Sequence, residues 1–286
     1  MRSIGIAAFI LFSINTAIAG GGWPQAKGGG YIKLAEWWII SNQHYTDNGL
    51  INPNVTTGIF NTTLYAEYGF TDRLTGIIYA PLFSRTYSNN TVSATTGEVI
   101  IPGEAINSIG DADITVKYGL VTNKPVVLSA SLTLGIPLGI SDGGSQGTLQ
   151  TGDGEFNQMI QLDASTSWQL GSLNMYGSIY GGFNNRTNGY SDEIRYGAEL
   201  GATFWDNRIT AIGRLFGISS LKNGASIEPG NAISIFANNT EFLSFTPELN
   251  YNINDHLGVS ASYGIAFSGK LIFANPSYSV GVYYRW

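Results

Sequence analysis

The 286-residue chain has no cysteine, only 2 histidines, and only 12% charged residues. Without cysteine there is no disulfide, no thiolate nucleophile and no sulfur ligand. Only His44 and His256 remain as imidazole bases or metal ligands. A formal net charge of -6 argues against a nucleic-acid partner. Long greasy runs are missing too: past the first residues, no apolar stretch reaches the ~18 residues a membrane-spanning helix needs. What is present in quantity is glycine, at 37 residues, and aromatic side chains, at 13%.

The first residues form a targeting pattern. Arg2 supplies a positive start, residues 4–14 are a short apolar core, and Ala17-Ile18-Ala19 is an A-x-A cleavage site. The reading is therefore a signal peptide over 1–19, a periplasmic N-terminal segment over 20–30, and a transmembrane β-barrel over 31–286. An exported chain of this composition is either a soluble secreted β protein or an outer-membrane barrel, and the pattern along the chain separates the two.

Side chains alternate with a period of two in segment after segment. Strands are expected near 31–40, 58–70, 74–84, 112–121, 126–136, 158–170, 173–183, 193–204, 209–218, 242–253, 257–267 and 277–286. Five connections are tight and built of turn formers: TDR (71–73), TNKP (122–125), GS (171–172), WDNR (205–208) and NDH (254–256). Six others, 41–57, 85–111, 137–157, 184–192, 219–241 and 268–276, are longer. Short and long take strict turns. A soluble sandwich has no reason to sort its loops by side, whereas an outer-membrane barrel has short periplasmic turns and longer extracellular loops. The expected fold is an all-β transmembrane antiparallel barrel of about twelve strands. A fourteen-strand version would use parts of 94–102 or 231–237.

Facing follows from the same alternation. Over 158–170, Ile160, Leu162, Ala164, Thr166, Trp168 and Leu170 share one face, and Gln161, Asp163, Ser165, Ser167 and Gln169 the other. Aromatic residues settle which face looks out. Phe70, Trp168, Phe204, Trp205, Tyr284 and Trp286 sit at strand ends beside the short turns; Trp37, Phe60, Phe183, Phe267 and Tyr278 sit at the opposite ends. Two such bands match the girdles at the two membrane interfaces. Some strands are less clean. Lys33 and Glu36 fall on opposite faces of 31–40, with Lys33 assigned to the headgroups and Glu36 to the interior. Pro81 and Pro247 fall inside strands, where each removes a ladder donor and marks a bulge or else an opening in the wall.

The last strand must pair with the first, because an open edge in lipid leaves backbone groups without partners. Its outward set, Tyr278, Val280, Val282, Tyr284 and Trp286, is similar to the C-terminal signal read by the outer-membrane assembly machinery, which usually ends in Phe. Inward positions are expected to be Glu67, Asp113, Lys117, Asp163, Arg195, Glu199, Glu248 and Arg285, with Arg214 and Glu36 joining them. Acids and bases in a wet interior pair across neighbouring strands. They form either a structural network or the lining of a path for solute. Tyr65, Tyr176, Tyr180 and Tyr283 also point inward, with Tyr79 beside them. Such rings offer a greasy track with wet hydroxyls beside Gly182 and Gly281, or simply packing.

Catalysis is not expected. A serine mechanism needs a histidine base on the same rim, and His44 lies in the first long loop while His256 lies in a short turn at the other end. Asp142, Asp153 and Glu155 lack Ca²⁺-loop spacing, and the glycine-rich GSQG and TGDGEF stretches have no following P-loop lysine. No cofactor and no metal is expected; the partners are outer-membrane lipid, the assembly machinery and a small-molecule solute.

The stretch SIGDADITVKYGLVTNKPVVLSASLTLGIPLG, followed by TGDGEF (151–156), resembles the family of MetA-pathway of phenol degradation transporters. Where that family has P-T-G-D, this chain has Pro137-Leu138-Gly139-Ile140, with Thr151-Gly152-Asp153 displaced. The resemblance implies an outer-membrane channel, distantly related to fatty-acid and aromatic-hydrocarbon channels, for passive uptake of hydrophobic or aromatic molecules. The N-terminal GGGWPQAKGGG is shorter than the plug of the fatty-acid channels, so no hatch is carried over. The alternative function is a closed structural or adhesin-like barrel whose loops bind a partner.

Overall fold

The computed structural model describes residues 21–225 and 234–286; the expected signal peptide and residues 231–233 of the alternative strand lie outside them. Twelve long antiparallel strands form the wall: β1 (Gly30–Tyr45), β2 (Ile51–Gly69), β3 (Leu74–Ser88), β7 (Ala112–Val121), β8 (Val126–Ile136), β9 (Asn157–Leu170), β10 (Leu173–Asn185), β11 (Glu193–Phe204), β12 (Ile209–Ser220), β13 (Glu241–Asn252), β14 (Leu257–Lys270) and β16 (Ser277–Arg285). Four short strands decorate the long-loop end: β4 (Thr91–Val92) and β5 (Val99–Ile101) pair with each other, β6 (Glu104–Ser108) pairs with β3, and β15 (Ile272–Phe273) pairs with β1. The segment 94–102 therefore supplies a small hairpin outside the wall, which keeps twelve strands rather than fourteen.

The wall is a closed ring. Neighbours in sequence are neighbours in space, and β1 pairs both with β2 and with β16, from Tyr31 opposite Arg285 to Ile39 opposite Ser277. Reciprocal bonds of 3.1 Å between Gly30 and Trp286 finish the seam. Closure leaves no strand edge to hydrocarbon, where each orphaned backbone group would cost several kcal/mol. Every tight turn expected from the sequence is a hairpin between adjacent strands. The turn 205–208 is the most constrained, with Trp205, Asp206 and Asn207 all left-handed at φ 53°, 52° and 62°. The long connections are shorter than expected where strands rise past the membrane: the loop between β1 and β2 shrinks to 46–50.

Burial is inside out. The most enclosed side chains include Glu67, Thr75, Ser84, Ser129, Ser165, Asn184 and Thr210, nearly all hydrophilic, while Leu162 and Val280 are 60% and 49% exposed. A water-soluble barrel places its apolar face inward. Here that face looks outward all round the wall, from Ile32 and Leu34 to Ile160, Leu200, Val259 and Val282.

The structure corrects four local expectations. Lys33 points inward, opposite Tyr65 and Tyr283, and Glu36 points outward, opposite Thr62 and Val280. Glu36 accepts a 2.7 Å bond from Thr62 Oγ1 on the lipid face. Trp37 likewise turns inward against Ile39, Ile59 and Phe273, leaving Trp38 to stack on Tyr278 outside. Pro81 does sit at a bulge, where the β2–β3 register slips between Thr62 and Thr63. Pro247 does not: the β13–β14 pairing lapses beside it and resumes in the same register, the slip coming instead between Leu243 and Ser244.

Candidate functional site: the barrel interior

Alternation on twelve strands aims a set of polar side chains at one axis, and cross-strand register stacks them. Glu199 on β11 lies opposite Arg214 on β12, so the two meet at hydrogen-bond range through Nε. Arg214 Nη1 also reaches Glu248 Oε2 at 2.7 Å, and Lys33 Nζ approaches the same oxygen at 3.6 Å. Tyr176 donates its hydroxyl to Glu199, and Tyr65 donates to Glu67. Tyr31 stacks on Tyr283 at 5.5 Å and meets Tyr65 edge-on at 6.1 Å, while Tyr283 donates to Asn252 at 2.6 Å. Charges taken out of water persist when paired and hydrogen-bonded, which is what this chain of contacts provides.

Of the positions singled out in the sequence, Glu199, Arg214, Glu248 and Tyr176 are brought into one network. Glu67 and Tyr65 form a second group beside Tyr31. Asp163 lies opposite Ser129 and Tyr180 and accepts 2.8 Å from Gln161. Asp113 lies opposite Tyr79 on the same interior side. Lys117 Nζ donates 2.7 Å to the carbonyl of Gly21. Two positions stand apart. Arg195 is near the extracellular end, paired with Glu193 at 2.8 Å. Arg285 is at the periplasmic rim, donating 2.7 Å to the carbonyl of Asp255.

The segment expected to lie in the periplasm over 20–30 instead enters the barrel from residue 21 onward. Gly22 N–H donates 2.7 Å to Ser165 Oγ, Gln25 N–H donates 2.8 Å to Thr75 Oγ1, and Gln25 Nε2 donates 2.8 Å to Glu67. Trp23 meets Tyr176 edge-on at 6.1 Å. Only glycine fits at Gly21, because a Cβ there would lie 2.3 Å from Ser178 Oγ and its φ is +64°. Ten residues are too few for a folded hatch, yet a strap needs only polar contacts with the wall, and the Ser165 and Thr75 hydroxyls and the Lys117 ammonium supply them.

A second cluster, missed in the sequence, closes the extracellular side. Arg186 follows β10 and is enclosed by three carboxylates: Nη2 to Asp153 at 3.1 Å, Nη1 to Glu193 at 2.6 Å, and Nε to Glu155. Its guanidinium lies 4.4 Å from the Tyr190 ring centroid. Asp111 accepts from Gly139 and Asp153 backbone N–H groups at 2.8 and 2.7 Å, tying the loop 137–156 to the start of β7. Burial pushes the Asp111 carboxyl up to about 6 against those two bonds. It pushes Glu155 up to about 7, with Arg186 pulling the other way. Asp153 and Glu155, considered as Ca²⁺ ligands, thus hold a guanidinium. No spacing in the sequence pairs Arg186 with residues more than thirty positions earlier, so only the fold reveals it. His44 is not in a loop but on β1, opposite Asn52 and Phe273, and His256 stays in its turn at the far end.

No family model matches the chain, and neither does any curated protein. Solved structures do. An outer membrane channel from Pseudomonas putida F1 superposes with a TM-score of 0.59 over 94% of this chain and 100% of that one, at 15% identity. This is an outer-membrane β-barrel. The NanC porin gives a TM-score of 0.51 over 89% of this chain and 100% of its own, at 9% identity. At such identities the likeness is one of fold, and it agrees with the apolar outer belt in placing the barrel in the outer membrane. That belt carries both aromatic bands: Phe70, Trp168, Trp205, Tyr284 and Trp286 exposed at the turn side, Phe183, Phe267 and Tyr278 at the other.

Proposed function

We propose that the barrel is an outer-membrane channel for passive uptake of small hydrophobic or aromatic molecules. The carrying observation is the inward set of tyrosines, Tyr31, Tyr65, Tyr79, Tyr176, Tyr180 and Tyr283, of which Tyr65, Tyr176 and Tyr283 donate their hydroxyls to Glu67, Glu199 and Asn252. Rings of this kind bind an apolar solute weakly along its length without a charged anchor. The superposition on an outer membrane channel supports the reading at the level of fold, and the MetA-pathway resemblance of 108–139 supports the solute class. The positions carried as lining are Glu67, Asp113, Lys117, Asp163, Arg195, Glu199, Arg214, Glu248, Arg285, Tyr65, Tyr176, Tyr180 and Tyr283. We assign no catalytic role to any residue.

One observation favours a second reading, a closed structural or ligand-binding barrel without transport. The strap of residues 21–27 and the Glu199–Arg214–Glu248 network both occupy interior space. Purified protein in liposomes separates the two. Uptake of toluene or benzyl alcohol above that of empty vesicles is expected of the channel. Uptake no faster than that of empty vesicles, with a folded barrel present, supports the closed form.

A further inference from the structure

At the periplasmic mouth, a cavity of about 490 Å³ lies between the N-terminal strap and the ends of β10, β11, β13 and β16. That volume suits a small organic molecule. Its apolar wall is Trp23 set edge-on to Tyr176. Its rim carries Arg208 and Arg285. Elsewhere, Arg186 and Arg195 toward the extracellular end and Arg214 inside the barrel each have a carboxylate within 3.1 Å. Among the described residues, Arg208 and Arg285 have no such ion pair. Arg285 uses Nε on the Asp255 carbonyl, which leaves both terminal nitrogens as donors.

Two of the neutral amides beside them, Asn174 and Asn252, are engaged with the 205–208 turn. Asn174 donates to Asn207, and Asn252 donates to the Asn207 carbonyl while accepting from Tyr283. The charged donors at this wall are guanidinium forks, whose planar geometry matches a carboxylate. Asp206 and Asp255 share the rim, so the four charged residues sum to zero and no net positive charge is left to hold a dianion.

We propose that this cavity is a binding site for an aromatic monocarboxylate, its ring on Trp23 and Tyr176 and its carboxylate at the Arg208 and Arg285 rim. The inference rests on the channel reading and refines it, because it names the solute that the periplasmic end holds before release. Binding is weak, since a site on a conduction path must let go.

The test uses the full barrel in detergent and in liposomes, with benzoate and the neutral benzyl alcohol as probes. Saturation-transfer NMR is expected to show benzoate bound more tightly than benzyl alcohol. Arg208→Gln and Arg285→Gln should each weaken benzoate by about fivefold or more and leave benzyl alcohol unchanged. Trp23→Ala should weaken both. Arg208 lies on a turn, so R208Q decides the matter if R285Q fails to assemble. Equal affinity for the two probes, or an R208Q barrel that binds benzoate as before, overturns the site. Liposome flux separates this from the channel reading. Benzyl alcohol flux without benzoate preference removes the site and keeps the channel. Arginine-dependent benzoate binding with no flux of either probe keeps the site and removes the channel.

Discussion

Arg186 shows how much a single side chain carries in an inverted interior. Its guanidinium satisfies Asp153, Glu155 and Glu193 at once, and its own side chain is 4% exposed. Replacing it with methionine leaves three carboxylates facing one another without a cation. Breaking a buried pair in this way costs about 3–5 kcal/mol, read as a lower unfolding temperature and faster proteolysis of 137–156. Glu155 makes a pH prediction. Its folded value of about 7 lies above the ordinary 4.5, so the folded protein holds a proton that the unfolded chain has lost. The stabilisation is full below about 4.5 and fades as pH rises toward about 7. Carboxyl NMR should show a midpoint near neutrality that vanishes in Glu155→Gln, and hydrogen exchange around the loop, corrected for intrinsic rate, should be slower at the acid end. Glu36 runs the opposite way. A carboxylate facing lipid with one partner is a liability, and Glu36→Leu should stabilise the barrel by on the order of 1 kcal/mol in a denaturant titration. Residue-level legibility was uneven for the same reason. Where one face is all polar, as over 158–170, alternation assigns it. In 31–40 both faces carry aromatics and aliphatics, and only the cross-strand partners Tyr65 and Thr62 decide between Lys33 and Glu36.

Elements were easier to read than contacts. Turn chemistry and strand period are local, so the tight turns at 71–73, 122–125, 171–172, 205–208 and 254–256 and the strands they join follow from neighbouring residues alone. Pro81 betrayed its bulge, while the slip at Leu243 carries no local mark. The strap was illegible because its anchors, Ser165, Thr75 and Glu67, belong to three different strands. That element has its own test. Lys117→Met combined with Ser165→Ala removes the bonds that hold Gly21 and Gly22. Single-channel recordings should then show conductance several-fold higher or newly fluctuating. An unchanged trace would mean that the strap does not limit passage.

At the scale of the molecule, the assignment of greasy side chains to lipid is the claim with most reach. Leu200, on the outer face of β11 and 53% exposed, is a suitable probe. Arginine there should cost about 2–4 kcal/mol near the bilayer centre and about 0–1 kcal/mol near an interface, measured by refolding into vesicles. A processed chain that stays soluble without detergent would contradict the fold itself. Removing Trp286, which hydrogen-bonds Gly30 across the seam and stacks on Tyr284 at 6.0 Å, is expected to slow insertion in an assembly assay with outer-membrane extracts.

The seam has a kinetic corollary. Gly30 and Trp286 are joined directly although 256 positions separate them (286 − 30 = 256). Contacts of such sequence separation are slow to find, because chain entropy is lost before the bond rewards it. Until they form, two unzipped borders of the sheet remain adhesive. Refolding should therefore be sluggish and concentration-sensitive, with the ring completed in a final, highly cooperative event.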